Sequence, residues 1–413
     1  MRVLIVGIII CCSSLGLLAQ HKKDSGFIGD FVVPSPASDG RFTLDFGNTQ
    51  ATLATQAKAA FRLHGGYRLV GSTQGQFSFE FRLGRDNSIE LRILTGKPRS
   101  LKFQQVFKGV GAPQALLLAC DEAVSKTTGY PGFFSGKLAY VSKRGQHGGK
   151  EVYVADTLFR RAQPKTNFGK VCCNLSWSAD GQGIFFTSDK TRFNNVYFMN
   201  LAAGRVRTVA KFKGSNLRGV QSPTGRNVAY ILSATGNPEL WLGSEVGGKL
   251  QQITRNKSNE SGPCWHPDGN RMIITSDVGG APQLFEVNLR NGKMSRIYTN
   301  RSRCSEAAWN PRNPQRLAFT FSVGGRFQIG EYDFARRKTR QLTTSSYDAL
   351  QPVWTNDGRH LIFTRRDRVS DTLMILDAGT DEQAAAANAP RKTPVALHGA
   401  KFGNCSQASF YRQ

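Results

Sequence analysis

The stretch Cys264-Trp-His-Pro-Asp-Gly-Asn-Arg-Met-Ile-Ile-Thr275 decides the fold, because its pattern returns along the chain. It joins a tryptophan, a Pro-Asp-Gly turn and an apolar run of strand-forming residues. Four of the five tryptophans recur at intervals of 88, 44 and 45 residues, and Gln221 stands 44 residues after the first of these four. They are Trp177, Trp265, Trp309 and Trp354. Spacing this regular predicts tandem copies of one structural unit.

Each copy continues with a turn and then with short strands. The turns are rich in Pro, Asp, Asn and Gly, which supply the backbone angles that turns require. An apolar strand follows each turn, and one more precedes them all; these strands start at Leu138, Ile184, Val228, Met272, Leu317 and Leu361. Units of about 40 to 45 residues with four strands are typical of propeller blades. The sequence therefore predicts a mainly β protein with a six-bladed β-propeller.

The last residues of the chain complete the sixth unit. Cys405-Ser-Gln-Ala-Ser-Phe410 matches Cys304-Ser-Glu-Ala-Ala-Trp309 in spacing and character, so Phe410 takes a tryptophan position. The strand that should follow it is the one that begins near Gly136. We expect the C-terminal strand to pair there, because this pairing removes an exposed sheet edge. The propeller is predicted to span residues 131–413.

A leader and a small domain are predicted before the repeats. Residues 1–19 have the pattern of an export signal, with Arg2 before an apolar run, and an uncleaved membrane anchor is the alternative. Residues 20–130 are predicted to form an N-terminal arm and a small α/β domain. The arm, residues 20–40, is expected to be mobile until a partner binds. The domain elements expected are helices over 54–63 and 115–127 and strands over 67–72, 76–83, 88–94 and 101–107.

The charge of the chain favours acidic partners. Its formal net charge is +26, from 55 basic and 29 acidic residues. A field of this sign attracts acidic proteins, anionic envelope polymers or nucleic acid, and the export signal argues against nucleic acid.

Six cysteines follow the signal: Cys120, Cys172, Cys173, Cys264, Cys304 and Cys405. An even number in an oxidising compartment permits three disulfides, but the sequence does not determine their pairing. The spacing of cysteines and histidines does not indicate a metal site, and we expect no metal and no cofactor. His266, beside a repeat tryptophan, is expected to cap a turn.

The segment before the repeats resembles part of a known family. Cys120-Asp-Glu-Ala-Val-Ser-Lys-Thr-Thr-Gly-Tyr-Pro-Gly-Phe-Phe134 and Leu138-Ala-Tyr-Val141 resemble the interdomain helix and first propeller strand of the TolB family. The tandem units resemble its PD40-type, WD40-like repeats. The resemblance implies a non-enzymatic protein-binding scaffold of the Tol-Pal system, located in the periplasm and peripheral to the envelope. It also implies a role in outer-membrane integrity and in envelope constriction during cell division.

The same resemblance implies two partners. A Pal-like protein, Pal being the peptidoglycan-associated lipoprotein, is expected at the propeller face, and a TolA-like protein at the N-terminal arm. The connections 213–219, 257–263, 301–307 and 345–351 are expected to converge at one mouth of the channel. The candidate partner-binding residues are Ser215, Asn216, Arg218, Lys257, Ser258, Asn259, Glu260 and Ser261.

Two other functions are alternatives, because propellers also serve as enzymes and as general binders. A serine hydrolase of this kind needs a G-x-S-x-G elbow, which the sequence does not contain. A binder of anionic cell-wall or envelope polymers is the main alternative. Salt distinguishes it from a protein scaffold, because binding driven by counterion release weakens steeply with ionic strength.

Overall fold

The computed structural model describes residues 31–144, 148–243, 249–385 and 393–412, together with Gly26 and Ile28. The expected export signal, residues 1–19, lies outside the described residues. Strands in these ranges form one five-stranded sheet and six four-stranded sheets. None of the helices within them has the length and apolar character needed to cross a membrane.

The five-stranded sheet and two helices form the small N-terminal domain. Its elements are β1 (Phe42–Asp45), α1 (Ala51–Leu63), β2 (Tyr67–Leu69), β3 (Phe77–Leu83), β4 (Ile89–Thr95), β5 (Ser100–Phe107) and α2 (Ala112–Thr128). The sheet order is β2-β1-β3-β4-β5, with β1 parallel to both of its neighbours. Sequence analysis predicted the helices, the hairpin and the last strand but missed β1. Four residues are too few for a period of two to stand out.

One face of α1 fills the core of this domain. Leu53, Ala57, Ala60 and Phe61 are buried, and their spacing of three and four residues places them on one side of the helix. The end of α2 is set by Gly129, whose φ of 74° is a left-handed conformation that glycine adopts without strain. The chain then turns towards the propeller.

Part of the predicted arm is docked on the small domain. Ile28 N donates a hydrogen bond to Lys102 O (2.9 Å), and Gln104 N donates one to Gly26 O (2.9 Å). The Phe31 ring lies 6.5 Å from that of Phe77. The described part of the arm therefore packs along β5 and the domain core, in contrast to the expectation of a free segment.

The six four-stranded sheets are the propeller blades. The first blade contains β6 (Lys137–Ser142), β7 (Glu151–Asp156) and β8 (Gln163–Pro164), with β29 (Cys405–Tyr411) as its inner strand. In the other five blades the strands run outward in chain order. The second blade contains β9 (Cys172–Trp177), β10 (Gly183–Ser188), β11 (Asn195–Asn200) and β12 (Val206–Ala210), and the third contains β13 (Asn216–Gln221), β14 (Val228–Leu232), β15 (Glu239–Gly243) and β16 (Leu250–Gln252). The fourth contains β17 (Glu260–Trp265), β18 (Met272–Ser276), β19 (Gln283–Val287) and β20 (Met294–Arg296), the fifth β21 (Ser302–Trp309), β22 (Arg316–Val323), β23 (Arg326–Asp333) and β24 (Lys338–Gln341), and the sixth β25 (Asp348–Trp354), β26 (His360–Arg366), β27 (Asp371–Asp377) and β28 (Val395–Ala396). A short helix, α3 (Asp381–Ala385), precedes β28.

The first blade takes strands from both ends of the propeller segment. Phe410 of β29 lies opposite Leu138 of β6, in an antiparallel pair. Arg412, directly after β29, contacts Asp121 of α2 (3.3 Å between Nη2 and Oδ2). The C-terminal strand is thus tied to the small domain as well as to the first blade.

The repeat tryptophans join neighbouring blades. In three of them the indole N–H donates to a carbonyl oxygen of the preceding inner strand: Trp177 to Ser409 (2.9 Å), Trp265 to Val220 (2.9 Å) and Trp354 to Ala308 (3.0 Å). Each ring is almost fully buried. The regular spacing of the tryptophans therefore reflects packing between blades.

All six described cysteines are free thiols. Cys172, Cys304 and Cys405 occupy the same repeat position, five residues before the aromatic residue of their own blade, and are fully buried. Because that position recurs in different blades, these side chains lie apart around the ring. The three possible disulfides are not formed in this structure.

The small domain contacts the turn between β25 and β26. Gly65 N donates to His360 Nε2 (3.3 Å), and Asn356 Nδ2 donates to Gly132 O (3.2 Å). This turn follows the end of the inner strand β25. The connections that lead into the inner strands lie at the opposite face of the propeller. The small domain therefore leaves the face with those connections open.

Candidate partner-binding channel

The inner strands surround a cavity on the propeller axis. Its volume is about 310 Å³, and residues of all six inner strands line it. The predicted connections lead into these strands at one mouth. All four extend into the strands themselves: 213–219 into β13, 257–263 into β17, 301–307 into β21 and 345–351 into β25. A loop entering this mouth can contact several blades at once.

One residue of every inner strand has a left-handed backbone conformation. These residues stand three positions before the aromatic position, with φ between 47° and 57°: Asn174, Arg218, Gly262, Glu306, Gln351 and Gln407. The pairing register shifts at this point in each inner strand, which is the mark of a β-bulge. The bulges place a ring of mostly polar side chains around the channel. Sequence analysis found only Arg218 among them, although a polar residue at a constant offset from each aromatic residue is a signal that could have revealed the ring.

Arg218 is the cationic residue of this ring. Its Nε is inaccessible to solvent and has no hydrogen-bond partner among the described residues. Burial lowers the pKa of the Arg218 guanidinium, and the carboxylate of Glu306 offsets part of that effect. Glu306 itself accepts hydrogen bonds at Oε2 from Thr320 Oγ1 (2.8 Å) and Gln351 N (2.9 Å). The channel wall therefore contains a positive charge whose hydrogen-bonding capacity is incompletely used.

The prediction that Asn216, one of the two other candidates beside Arg218, contacts a partner has to be corrected. Its side chain is fully buried, so it cannot contact a partner from this position. Its Oδ1 accepts from Phe212 N (2.8 Å), and its Nδ2 donates to Phe212 O (2.9 Å) and Asn194 O (3.2 Å). Asn216 thus holds the connection in place, and the half-buried Ser215 precedes it at the mouth.

The second candidate segment, residues 257–261, is mostly accessible. Lys257, Asn259 and Ser261 are exposed and Ser258 is half-buried. Asn259 donates from N and Nδ2 to the Asp277 carboxylate (2.7 and 2.9 Å), which orients the segment. The prediction that Glu260 contacts a partner also has to be corrected, because the residue is only 1% exposed and cannot contact a partner directly.

A buried cluster of possible metal ligands lies outside the channel. Among the described residues it is the one group of three such side chains close together, and it consists of His64, Asp357 and His360. Asp357 Oδ2 is 2.6 Å from His360 Nδ1, and His64 Nδ1 accepts from Gly66 N (3.1 Å). Burial lowers the pKa of His64 well below its ordinary value. These contacts join the small domain to the last blade.

His266 serves as the expected turn cap. Asp268 N donates to His266 Nδ1 (3.1 Å), and the imidazole ring meets the Trp309 ring edge to face at 4.5 Å. Its role is therefore structural.

The family described as the TolB β-propeller domain matches residues 124–394. The chain belongs to this family. Two curated relatives are Tol-Pal system proteins TolB: one from Desulfosudis oleivorans is 28% identical over 48% of this chain, and one from Desulfotalea psychrophila is 25% identical over 54%. The aligned parts span 42% and 46% of those relatives, so the chain matches about half of their length.

The fold of the TolB family extends to the small domain. The crystal structure of TolB from Acinetobacter baumannii matches with a TM-score of 0.76 and 18% identity, over 91% of this chain and 97% of that one. A likeness at this level of identity concerns the fold. It confirms the prediction of a six-bladed propeller preceded by a small α/β domain.

Proposed function

We propose that this chain is a non-enzymatic, protein-binding scaffold of the Tol-Pal system, exported to the periplasm and peripheral to the envelope. Its channel mouth binds a Pal-like lipoprotein, and its N-terminal arm binds a TolA-like protein. In this role it supports outer-membrane integrity and envelope constriction during division. Family membership supports the assignment to the Tol-Pal system, and the cavity between the inner strands, with Arg218 in its wall, supports the mode of binding.

The incompletely bonded Arg218 carries the proposal for the channel. A guanidinium presents a planar fork of donors that matches a carboxylate, and such bonds are stronger where water is excluded. A partner loop with an Asp or Glu side chain would therefore find its complement in the channel wall. The exposed Lys257 at the same mouth adds attraction at longer range.

Direct binding tests this function. The soluble domain of a Pal-like lipoprotein from the same cells is titrated with the full chain at about 0.1 and 0.5 M salt, a range over which exposed charges become screened. We expect binding at both concentrations, with a modest loss at the higher one. Absence of binding at both would contradict the proposed function.

A basic groove favours the second candidate function, binding of an anionic envelope polymer. It lies between the third and fourth blades, has a volume of about 1020 Å³ and is lined by Lys249, Arg255 and Arg290. All three side chains are exposed. Binding of a purified anionic polymer that collapses at high salt, and is lost in an Arg255→Gln, Arg290→Gln double variant, would support this candidate. Unchanged binding by the double variant would exclude the groove as its site.

A further inference from the structure

Two buried carboxyl groups lie beneath the segment 257–261. Glu239 begins β15, Glu260 begins β17, and each residue is only 1% exposed. Glu239 Oε1 accepts from Asn256 N (2.7 Å), and Glu260 Oε1 accepts from Asn256 Nδ2 (3.1 Å). Asn256 therefore bridges the two carboxyl groups and joins them to the connection that carries Lys257.

The other oxygen of each carboxyl group lacks a donor. Glu239 Oε2 and Glu260 Oε2 are both inaccessible to solvent and have no hydrogen-bond partner in the described ranges. Burial, together with contact with the Glu239 carboxyl group, raises the pKa of Glu260 to about 7. Two adjacent buried carboxyl groups cannot both ionise without a large penalty, whereas one proton between them satisfies both oxygens.

The charged groups around the pair do not neutralise it. Arg255 and Lys257, on the same connection, are exposed. Asp277, which follows β18, is acidic, and its carboxylate is bound to Asn259. Ser276 of β18 contributes a neutral donor, from Oγ to Glu260 Oε1 (2.8 Å).

The junction of the second and third blades has a neutral pair at the same two positions. Asn195 and Asn216 stand 44 residues before Glu239 and Glu260, respectively. There, Asn216 Nδ2 donates to Asn195 Oδ1 (3.4 Å). The fold thus accommodates an uncharged pair at such a junction, whereas the junction of the third and fourth blades has two carboxyl groups at these positions.

We propose that Glu239 and Glu260 share one proton and act as a latch on the connection 254–259. Below neutral pH the shared proton keeps both carboxyl groups buried and Asn256 bound. As the pH rises, the proton leaves to solvent, and two negative charges remain where water is excluded. Hydration of these charges loosens Asn256, and with it the segment that presents Lys257, Ser258 and Asn259 to a partner. The effect on partner binding rests on the proposed function, whereas the latch itself does not.

The free energy of unfolding reports the latch in the absence of any partner. A raised carboxyl pKa means that the native state binds a proton that the unfolded state releases, so the stabilisation is lost between about pH 4.5 and 7. The Glu260→Gln variant removes this dependence because an amide can donate to Glu239 Oε2. We compare the folding equilibrium constant of the variant with that of the parent chain at each pH. The ratio of the two constants should be about 100 times larger at pH 8 than at pH 5, because each pKa unit is a factor of ten. Glu239→Gln should behave alike and serves if the first variant does not fold.

Glu151→Gln is the matched control. Glu151 occupies the strand position of Glu239 in the first blade, but its Oε1 accepts from Phe168 N and Gly169 N (both 2.7 Å). For Glu151→Gln, the ratio of the variant's folding equilibrium constant to that of the parent chain should not increase from pH 5 to pH 8. A Glu260→Gln variant that gains nothing at pH 8, or a control that gains as much, would overturn the latch.

Hydrogen exchange and binding complete the test. After correction for the intrinsic effect of pH, the amides of Asn256 and Ser258 should lose at least tenfold protection between pH 6 and pH 8 in the parent chain but not in Glu260→Gln. Equal protection at both pH values would overturn the proposal. Binding of the Pal-like domain should weaken over the same range in the parent chain alone. If that domain binds at neither pH, the proposed function fails while the exchange result still decides the latch.

Discussion

Arg218 places a positive charge in the channel wall, where burial works against the charged form. Its left-handed φ of 47° belongs to a β-bulge, so the backbone of the repeat aims this side chain at the axis. Removal of the guanidinium also removes an inaccessible Nε that has no partner in the described part of the chain. We therefore expect that replacing Arg218 by a neutral residue weakens partner binding but does not lower the stability of the fold.

The Arg218→Gln variant should separate these effects. We expect it to weaken binding of a Pal-like domain at least tenfold, which corresponds to about 1.4 kcal/mol, because the partner carboxylate loses its bidentate donor. Its Tm should stay equal or rise. Arg303→Gln is the control, since Arg303 is exposed near the start of β21, two blades away, and its replacement should alter binding only slightly. Equal losses in the two variants would show that charge alone, and not the channel wall, determines binding.

Gln351 tests the backbone of the bulge ring. A β-branched residue is strained in its left-handed conformation (φ 57°), whereas glycine is not. We expect Gln351→Val to lower the free energy of unfolding by about 1 to 2 kcal/mol and Gln351→Gly to change it by less than about 1 kcal/mol. Urea unfolding curves measure both. A valine variant as stable as the glycine variant would mean that the bulge does not persist in solution.

The connection into β13 depends on buried hydrogen bonds more than on its exposed residues. Asn216→Ala leaves Phe212 N and the carbonyl groups of Phe212 and Asn194 without their side-chain partner. We expect a loss of about 2 to 4 kcal/mol in the free energy of unfolding. Ser215→Ala, one residue earlier and half-buried, should be close to neutral. The two are compared by thermal and urea unfolding, and similar losses in both would contradict the role of Asn216.

The blades were predictable from the sequence because a signal repeats in each of them, and the longer helices and strands of the small domain were predictable from their own periodicity. The tryptophan positions and the turns after them identified the blades, because packing between blades imposes the same residue at each. Strand β1 was missed because its four residues carry no such repetition. Asn216 and Glu260 looked like exposed loop residues, yet they begin inner strands. Their burial follows from contacts with the preceding blade, which no local pattern shows.

Closure of the ring links the stability of all blades to the C-terminal strand. Deletion of residues 396–413 removes β29, leaves β6 as an exposed edge and breaks the contact of Arg412 with Asp121. We expect aggregation or a fall in Tm of more than about 10 °C, because every blade packs on its neighbours. Differential scanning calorimetry and light scattering measure this. A truncated chain that melts like the parent would contradict closure by β29.

At the scale of the whole molecule, we propose that the partner binds at the channel mouth, on the face that the small domain leaves open. Hydrogen–deuterium exchange of the full chain, with and without a saturating Pal-like domain, tests this claim most directly. We expect added protection in the connections 213–219, 257–263, 301–307 and 345–351, and no change in the hairpins around Gly204 and Gly292 on the opposite face. Protection confined to those hairpins, or no change at saturation, would contradict the account.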